Sequence, residues 1–381
     1  MEKRLFKGIG EEISTLGFGL MRLPLKSSSS RDIDFEMGRR MVDRAIEAGV
    51  NYFDTAWIYH EGASELFAGE AMSRHPRGSY HLATKMPVWE LASRGDMERV
   101  FSEQLRKCRV DCFDFYLLHN IGGDTYDMAL KYDVYEFLNK KKKEGYIRFL
   151  GFSVHDGPEL LEKIANNWKW DFAQIQLNYI DWEALDARRQ YEILESRGIP
   201  VVVMEPVRGG ALANLGHEAE GILKRADPAA SQASWAMRYA ASLPGVITVL
   251  SGMSNPEQLE DNLKTMTNFR PLSDAERATL DEAAKIYRAS GTIPCTACRY
   301  CMDCPSGVDI PRVFSIYNHY RMVLSSNPGI AGIVFRNNYR TMSDIQRADS
   351  CVSCGNCVDL CPQGINIPGF MKEIAEFAAA R

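Results

Sequence analysis

The chain has 381 residues, 45% of them apolar, and a formal net charge of −5. That length can bury a core the size of a large α/β barrel and still carry a smaller module, so two domains are expected. The acidic balance argues against a dominant nucleic-acid surface, and no run approaches about eighteen consecutive apolar residues, so neither a spanning helix nor a membrane role is expected.

Residues 1–12 carry no apolar h-region, which points to a cytoplasmic chain, and residues 1–13 read as a cap or hairpin ahead of the first long-range strand. From residue 15 to about 270, short β-rich runs alternate with helix-period segments. Eight strands are read: TLGFG (15–19), NYFDTA (51–56), YHLATK (80–85), CFDFYLLH (112–119), IRFLGFSV (147–154), FAQIQL (172–177), PVVVME (200–205) and VITVLSG (246–252). Helical stretches such as FEMGRRMVDRAIEAG and GDMERVFSEQLRKC lie between them, several stopped by Gly. Eight strand–helix repeats in about 250 residues predict an α/β fold, a (β/α)8 TIM barrel. A doubly wound sheet is the runner-up, but no GxGxxG opens a helix and Gly8-Ile9-Gly10 is too short a match. Lys140 to Lys143 end an amphipathic stretch and read as a solvated helix terminus, where cations complement the macrodipole. SDAERATLDEAAKIYRA (273–289) reads as a capped helix before the Ser290–Pro294 break. The expected division is a barrel over 1–270, a linker helix over 271–294 and a cysteine module over 295–381.

Eight of the ten cysteines fall in two runs, Cys295-x2-Cys298-x2-Cys301-x2-Cys304-Pro305 and Cys351-x2-Cys354-x2-Cys357-x3-Cys361-Pro362. A cubane cluster needs thiolates converging from several directions, which Cys-x2-Cys turns supply for three corners, so two [4Fe-4S] clusters are expected. In two-cluster ferredoxins the Cys before Pro serves the other cluster, which assigns Cys295, Cys298, Cys301 and Cys361 to one and Cys351, Cys354, Cys357 and Cys304 to the other. Two other chemistries compete. Disulfides need an oxidising compartment; structural zinc usually takes two separated Cys/His pairs, whereas each run packs four cysteines together with no His beside it. Cys304-Pro-Ser-Gly-Val-Asp-Ile-Pro and Cys361-Pro-Gln-Gly-Ile-Asn-Ile-Pro form an internal repeat. The long spacer between the runs, helical over RVFSIYNHYRMVL and then Asn- and Gly-bearing, favours a mostly helical ferredoxin-like domain. Cys108 and Cys112 stand apart and read as buried structural thiols.

In a TIM barrel, reactive groups stand at the C-terminal strand ends. Asp54, Tyr59, Lys85 and His119 fall there on three successive strands, as do Ser153, Gln176, Glu205 and Ser251. Asp54-x4-Tyr59, Lys85 after Thr and His119 after Leu-Leu resemble the catalytic tetrad of the aldo-keto reductase superfamily. LGFG (16–19), KKEGYIRFLGFS (142–153), QIQLNY (174–179) and SGMSNPEQLEDN (251–262) extend the resemblance over 1 to about 270. The whole chain is similar to the subgroup that fuses such a barrel to a C-terminal 4Fe-4S domain, with PCTACRYCMDCP as its most specific signature.

The resemblance implies an oxidoreductase reducing a carbonyl, or oxidising an alcohol, with NADP(H) or NAD(H). A phenol of pKa near ~10 is a poor acid at neutral pH unless a cation eases loss of its proton. Lys85 supplies that cation, Asp54 holds Lys85, His119 orients the carbonyl oxygen and Tyr59 protonates it. Ser153 and Gln176 are implied at the carboxamide, and Gly252, Gln258 and Asn262 at the adenosine phosphate and adenine. Val154 departs from the family's usual Asn, and Met204 stands where an aromatic often stacks on the nicotinamide. Arg208 with Gly209 and Gly210 suits a pyrophosphate; an ordinary turn with a solvated Arg is the equal alternative. A hydride carries two electrons and a cluster takes one, so coupling them needs an intermediary such as a flavin, and a ferredoxin-like or flavoprotein partner is expected. Two further readings stay open: an electron-transfer or redox-sensing protein, and a reductase whose clusters are structural. Trp57, Trp89 and Asn120–Tyr126 lie where a substrate wall is expected.

Overall fold

The computed structural model describes residues 1–6, 10–27, 29–302 and 304–380. Gly8 and Ile9 of the early glycine motif lie outside them. The expected N-terminal hairpin is present: β1 (Lys3–Phe6) pairs antiparallel with β2 (Glu11–Ser14). Then come β3 (Leu16–Gly19), β4 (Tyr52–Asp54), β5 (His81–Met86), β6 (Phe113–Ile121), β7 (Ile147–Val154), β8 (Phe172–Gln176), β9 (Val201–Met204) and β10 (Val246–Gly252). They close into a barrel in the order β10-β3-β4-β5-β6-β7-β8-β9, each neighbouring pair parallel. All eight coincide with the strands read from the sequence, because a strand buried on both faces stands out as a continuous apolar run.

The hairpin has a physical task. Its Phe6 and Ile13 are buried with Tyr52, Phe115, Phe149, Phe172 and Ile247, and the Phe6 ring lies 5.7 Å from Phe115 and 5.4 Å from Phe149. Closing the N-terminal mouth with apolar rings removes water from the lower core. Side chains further up the same strands then reach the opposite mouth on a packed base. Helices start where the chain supplies caps: Asp34 accepts from Met37 N at 3.0 Å, Ser93 and Asp96 form a capping box, and Ser273 and Glu276 form another. Lys140 to Lys143 close helix Val134–Lys143.

The chain forms two compact units, Met1–Pro206 with Ala236–Leu272, and Val207–Trp235 with Ser273–Arg381. The second is larger than the 295–381 module read from the sequence. It includes helix Asp274–Ala289 and an excursion from the strand–helix series whose helix His217–Ala226 packs on Asp274–Ala289. Among the described residues it holds no strand, and its core is Val313, Phe314, Tyr317, Phe335, Ile367 and Met371 with their neighbours. The Asn- and Gly-bearing stretch forms a helix after all, Pro328–Tyr339, started by Pro328 and anchored by Phe335 against Tyr320 at 5.9 Å.

Candidate active site and cysteine unit

Asp54 ends β4, Lys85 sits near the end of β5, His119 near the end of β6, and Tyr59 opens the turn Tyr59–Gly62 after β4. All four are buried and converge at the C-terminal mouth. Lys85 Nζ donates to Asp54 Oδ1 at 2.7 Å and to Thr55 O at 2.8 Å. It stands 4.8 Å from the centre of the Tyr59 ring, which meets the His119 ring edge to face at 5.9 Å. Burial pushes Lys85 down and Asp54 up in pKa, and each opposes the shift in the other. Burial, then the Lys85 charge and His155, hold His119 well below the ordinary histidine range, so it is neutral at pH 7. Asp54 Oδ2 and His119 Nδ1 have no hydrogen-bond partner among the described residues. Buried polar atoms are seldom left so, and here they mark a place built for more than packing.

Behind the four lies a network that no motif in the sequence signals. Buried Glu65 Oε1 accepts from Thr84 Oγ1 and Gln104 Nε2, both at 2.8 Å. Gln104 Nε2 also reaches Lys85 O at 2.9 Å, and Tyr116 donates to Gln104. Trp57 lies 3.8 Å from Lys107 Nζ, which faces Glu65 Oε2 at 3.6 Å. The Trp89 ring centre lies 5.0 Å from that of His119. Asn120 N donates to Ser153 Oγ, while Tyr126 packs on Trp168.

The other expected positions are mostly at the same mouth. Ser153 Oγ accepts from Asn120 N at 2.8 Å and keeps its own proton to donate. Gln176 Nε2 donates to Asp181 Oδ2 at 2.8 Å, and the same amide hydrogen-bonds His155, whose pKa burial pushes down to about 4. Met204 Sδ accepts from Gln174 Nε2 at 3.5 Å. Asn262 is buried and donates to Ser251 Oγ at 2.9 Å. Gln258 Oε1 accepts from Ser254 N at the start of helix Pro256–Thr267, and Gly252 lies against the Arg22 side chain. Arg208 is buried in the second unit, beside Gly209. A Cβ on Gly209 would fall 1.8 Å from Thr296 O, so the close approach that Gly209 permits is made by the first cysteine run.

The two runs share one backbone plan. Ala297 and Ser353 are left-handed between the first and second cysteines, and Arg299 and Gly355 between the second and third. Such turns aim successive N–H groups into a concavity that suits an anionic cluster. After each run, Asp309 or Asn366 caps a helix that carries Pro in its first turn, Ile310–Ser326 or Ile367–Ala379. Cys295, Cys298, Cys301 and Cys361 line one cavity with Ile310, Phe314 and Ile367. Burial pushes the Cys301 thiol up, and Cys298, Cys295 and Cys361 add to it; burial likewise raises Cys357, with Cys351, Cys304 and Cys354 adding. Each group therefore draws one cysteine from the other run. Four thiolates in one place repel, and a cationic iron core relieves that repulsion, so the donor set fits such a cluster. Cys354 is exposed, as are Val352 and Leu360 of the same run. Cys108 is buried and Cys112 partly so.

No helix among the described residues is long and apolar enough to cross a membrane. An uncharacterized oxidoreductase of Bacillus subtilis is 28% identical, over 76% of this chain and 99% of its own. The NADH-specific methylglyoxal reductase of Escherichia coli is 25% identical over 72% of this chain and 95% of its own. Among solved structures, the holo form of an aldo-keto reductase from Bacillus halodurans superposes with a TM-score of 0.61 at 25% identity, covering 75% of this chain and 97% of its own. The 4Fe-4S dicluster domain profile matches residues 294–365, and the aldo/keto reductase family profile matches residues 15–285. The chain is an oxidoreductase that belongs to the aldo/keto reductase family and carries a C-terminal 4Fe-4S dicluster domain.

Proposed function

We propose that the barrel reduces a small carbonyl compound with NAD(P)H, or runs the reverse alcohol oxidation, and that two [4Fe-4S] clusters relay electrons to or from a ferredoxin-like or flavoprotein partner. The observation that carries the first half is the buried Lys85–Asp54 pair set against the Tyr59 ring and the neutral His119. A nicotinamide, when bound, supplies the hydride. The chain's own residues supply the rest. His119 hydrogen-bonds the carbonyl oxygen without adding charge, Tyr59 gives that oxygen its proton, and the Lys85 cation eases the departure of the proton. Asp54 keeps Lys85 charged and in place. Trp89 walls the site on the His119 side. Ser153 and Gln176 would hold the carboxamide, Met204 would lie against the ring through its polarizable sulfur, and Gly252, Gln258 and Asn262 would take the adenosine end.

The cluster ligands would be Cys295, Cys298, Cys301 and Cys361 for one cube and Cys351, Cys354, Cys357 and Cys304 for the other. Exposed Cys354 makes the second the natural point of exchange with a one-electron partner, and joining that traffic to a hydride requires an intermediary such as a flavin. Cys361→Ala should then remove roughly half of the iron and acid-labile sulfide, with the loss read at the first run.

The test of the whole is anaerobic enzyme with its cofactor content measured, assayed for NAD(P)H oxidation against a panel of aldehydes and ketones and against one-electron dyes. Oxidation with a carbonyl supports the reading; none with either acceptor ends it. A second reading, an electron-transfer or redox-sensing protein, is favoured by Gln176, whose amide is engaged by Asp181 and His155, and by Met204 in place of an aromatic. It fails if Tyr59→Phe abolishes turnover while the clusters stay intact.

A further inference from the structure

Tyr59 is followed by two residues in left-handed backbone, His60 at φ 54° and Glu61 at φ 53°. Side chains other than Gly avoid that region unless surrounding structure holds them there. What holds them is the segment Leu20–Asp34 between β3 and helix Phe35–Glu47. His60 is buried; its Nδ1 lies 2.6 Å from Ser30 O and its Nε2 3.2 Å from Leu23 N. A carbonyl can only accept and a backbone N–H can only donate, so the ring carries its proton on Nδ1 and leaves Nε2 bare. Glu61 Oε1 takes the Ser30 hydroxyl at 2.5 Å, so both left-handed residues grip one point.

Leu20 and Arg22 of the same segment are tied to the strand ends. Leu20 N donates to Asp54 O at 2.8 Å, and Ser64 Oγ donates to Leu20 O at 2.9 Å. Ser254 Oγ donates to Arg22 O at 2.8 Å, and Arg22 pairs with Glu205 at 3.4 Å. It therefore runs from the Tyr59 turn to the ends of β9 and β10. We propose that His60 is a positioning residue: a neutral bridge from Leu23 to Ser30 that latches the Leu20–Asp34 segment onto the Tyr59 turn and so fixes the Tyr59 hydroxyl for proton transfer. This rests on the reading of Tyr59 as proton donor.

A proton added at Nε2 would set N–H against the Leu23 N–H and open the latch. Burial, the largest influence, and the Arg22 charge oppose the cation, the Ser30 carbonyl and Glu61 favour it, and the balance lowers the ring's pKa and keeps it neutral at pH 7. The latch is thus whole at neutral pH and lost as pH falls below the ordinary histidine range.

The test compares the cluster-loaded wild-type protein with His60→Gly, which accepts left-handed backbone freely but has no ring, and with His60→Asn, which tolerates that backbone and lacks the reach. The expected result is a kcat for carbonyl reduction lower by roughly tenfold in both variants with KM for NAD(P)H little changed, as misplacing a proton donor predicts. The acid limb of the wild-type pH profile should flatten in both. Hydrogen exchange should show the Leu23 amide protected in the wild type at pH 7, losing protection factor toward pH 5, and unprotected in both variants throughout. Wild-type kcat with an unchanged acid limb in the variants, or equal protection at Leu23, overturns the proposal. If the wild type itself reduces no carbonyl, the reading of Tyr59 falls separately, and exchange at Leu23 still decides whether the latch exists.

Discussion

Asp114 near the start of β6 lies at the floor of the barrel and Asp54 at the end of β4 lies at its mouth, and these two buried carboxylates are satisfied very differently. At the floor, Asp114 accepts Leu82 N at 2.9 Å and Arg77 Nη2 at 2.6 Å on Oδ2 and Arg148 Nη1 at 3.0 Å on Oδ1, with His81 Nδ1 at 3.7 Å. Burial alone would push its pKa up, but His81, Arg77 and Leu82 N–H together bring it to about 2. At the mouth, Asp54 meets one cation, keeps Oδ2 without a partner among the described residues, and is pushed up by burial. A carboxylate with both oxygens engaged by several donors adds stability and leaves little for chemistry. One that is incompletely engaged gives up stability and keeps a responsive cation beside a phenol. The two ends of the barrel thus carry the two tasks separately.

The contrast can be broken by substitution at either end. The largest effect is expected from Tyr59→Phe, which removes the proton donor and should lower kcat by about 10²- to 10⁴-fold with Tm and iron content unchanged; steady-state assay and calorimetry check both halves. Asp54→Asn should come next, because it leaves Lys85 buried without its counter-charge. Stability should fall by about 3 kcal/mol or more in denaturant titration, and kcat should fall with it.

At the floor, Asp114→Asn should cost about 2 kcal/mol at pH 7, from a carboxyl at about 2 in the folded chain against an ordinary value of 3.8. The sign is fixed by the depressed value: the contribution is present above pH ~4 and lost as pH falls through ~2. The variant should therefore lose the acid slope of the wild-type stability curve in that window and keep its kcat/KM. A drop in kcat/KM at Asp114→Asn as large as at Asp54→Asn would erase the contrast. The smallest effect is expected at Lys140→Gln. Its side chain is 74% exposed, its partner Glu144 lies 3.7 Å away, and a change within ~0.5 kcal/mol in melting experiments is expected of an exposed pair.

The barrel was legible because each of its strands is a continuous apolar run bounded by turn residues, and the four converging side chains because strand ends are where such a fold exposes chemistry. The cysteine runs were legible through their spacing. What escaped the sequence was contact between distant segments. Nothing in the order of residues pairs His60 with Leu23 and Ser30, or threads Glu65 through Gln104 to the Lys85 carbonyl. Gly209 reads as suiting a pyrophosphate or an ordinary turn, and the close approach it permits is made by Thr296, far along the chain. The excursion Val207–Trp235 reads as part of the strand–helix series, and its packing on Asp274–Ala289, with the approach of Gly209 to Thr296, joins it to the second unit. The helix Pro328–Tyr339 was hidden by its Asn and Gly content, because propensity is a weak prior where buried rings such as Phe335 decide.

Hydride chemistry at the barrel mouth, with Tyr59 as its acid, is tested most directly by an anaerobic turnover with NAD(P)H deuterated at the transferable position and a small aldehyde in ordinary water. The wild type should form a product alcohol with deuterium on its carbinol carbon, and Tyr59→Phe should lose that product. An alcohol whose carbinol hydrogen comes from solvent, formed equally by the Tyr59→Phe protein, would show that neither the hydride nor Tyr59 acts as proposed.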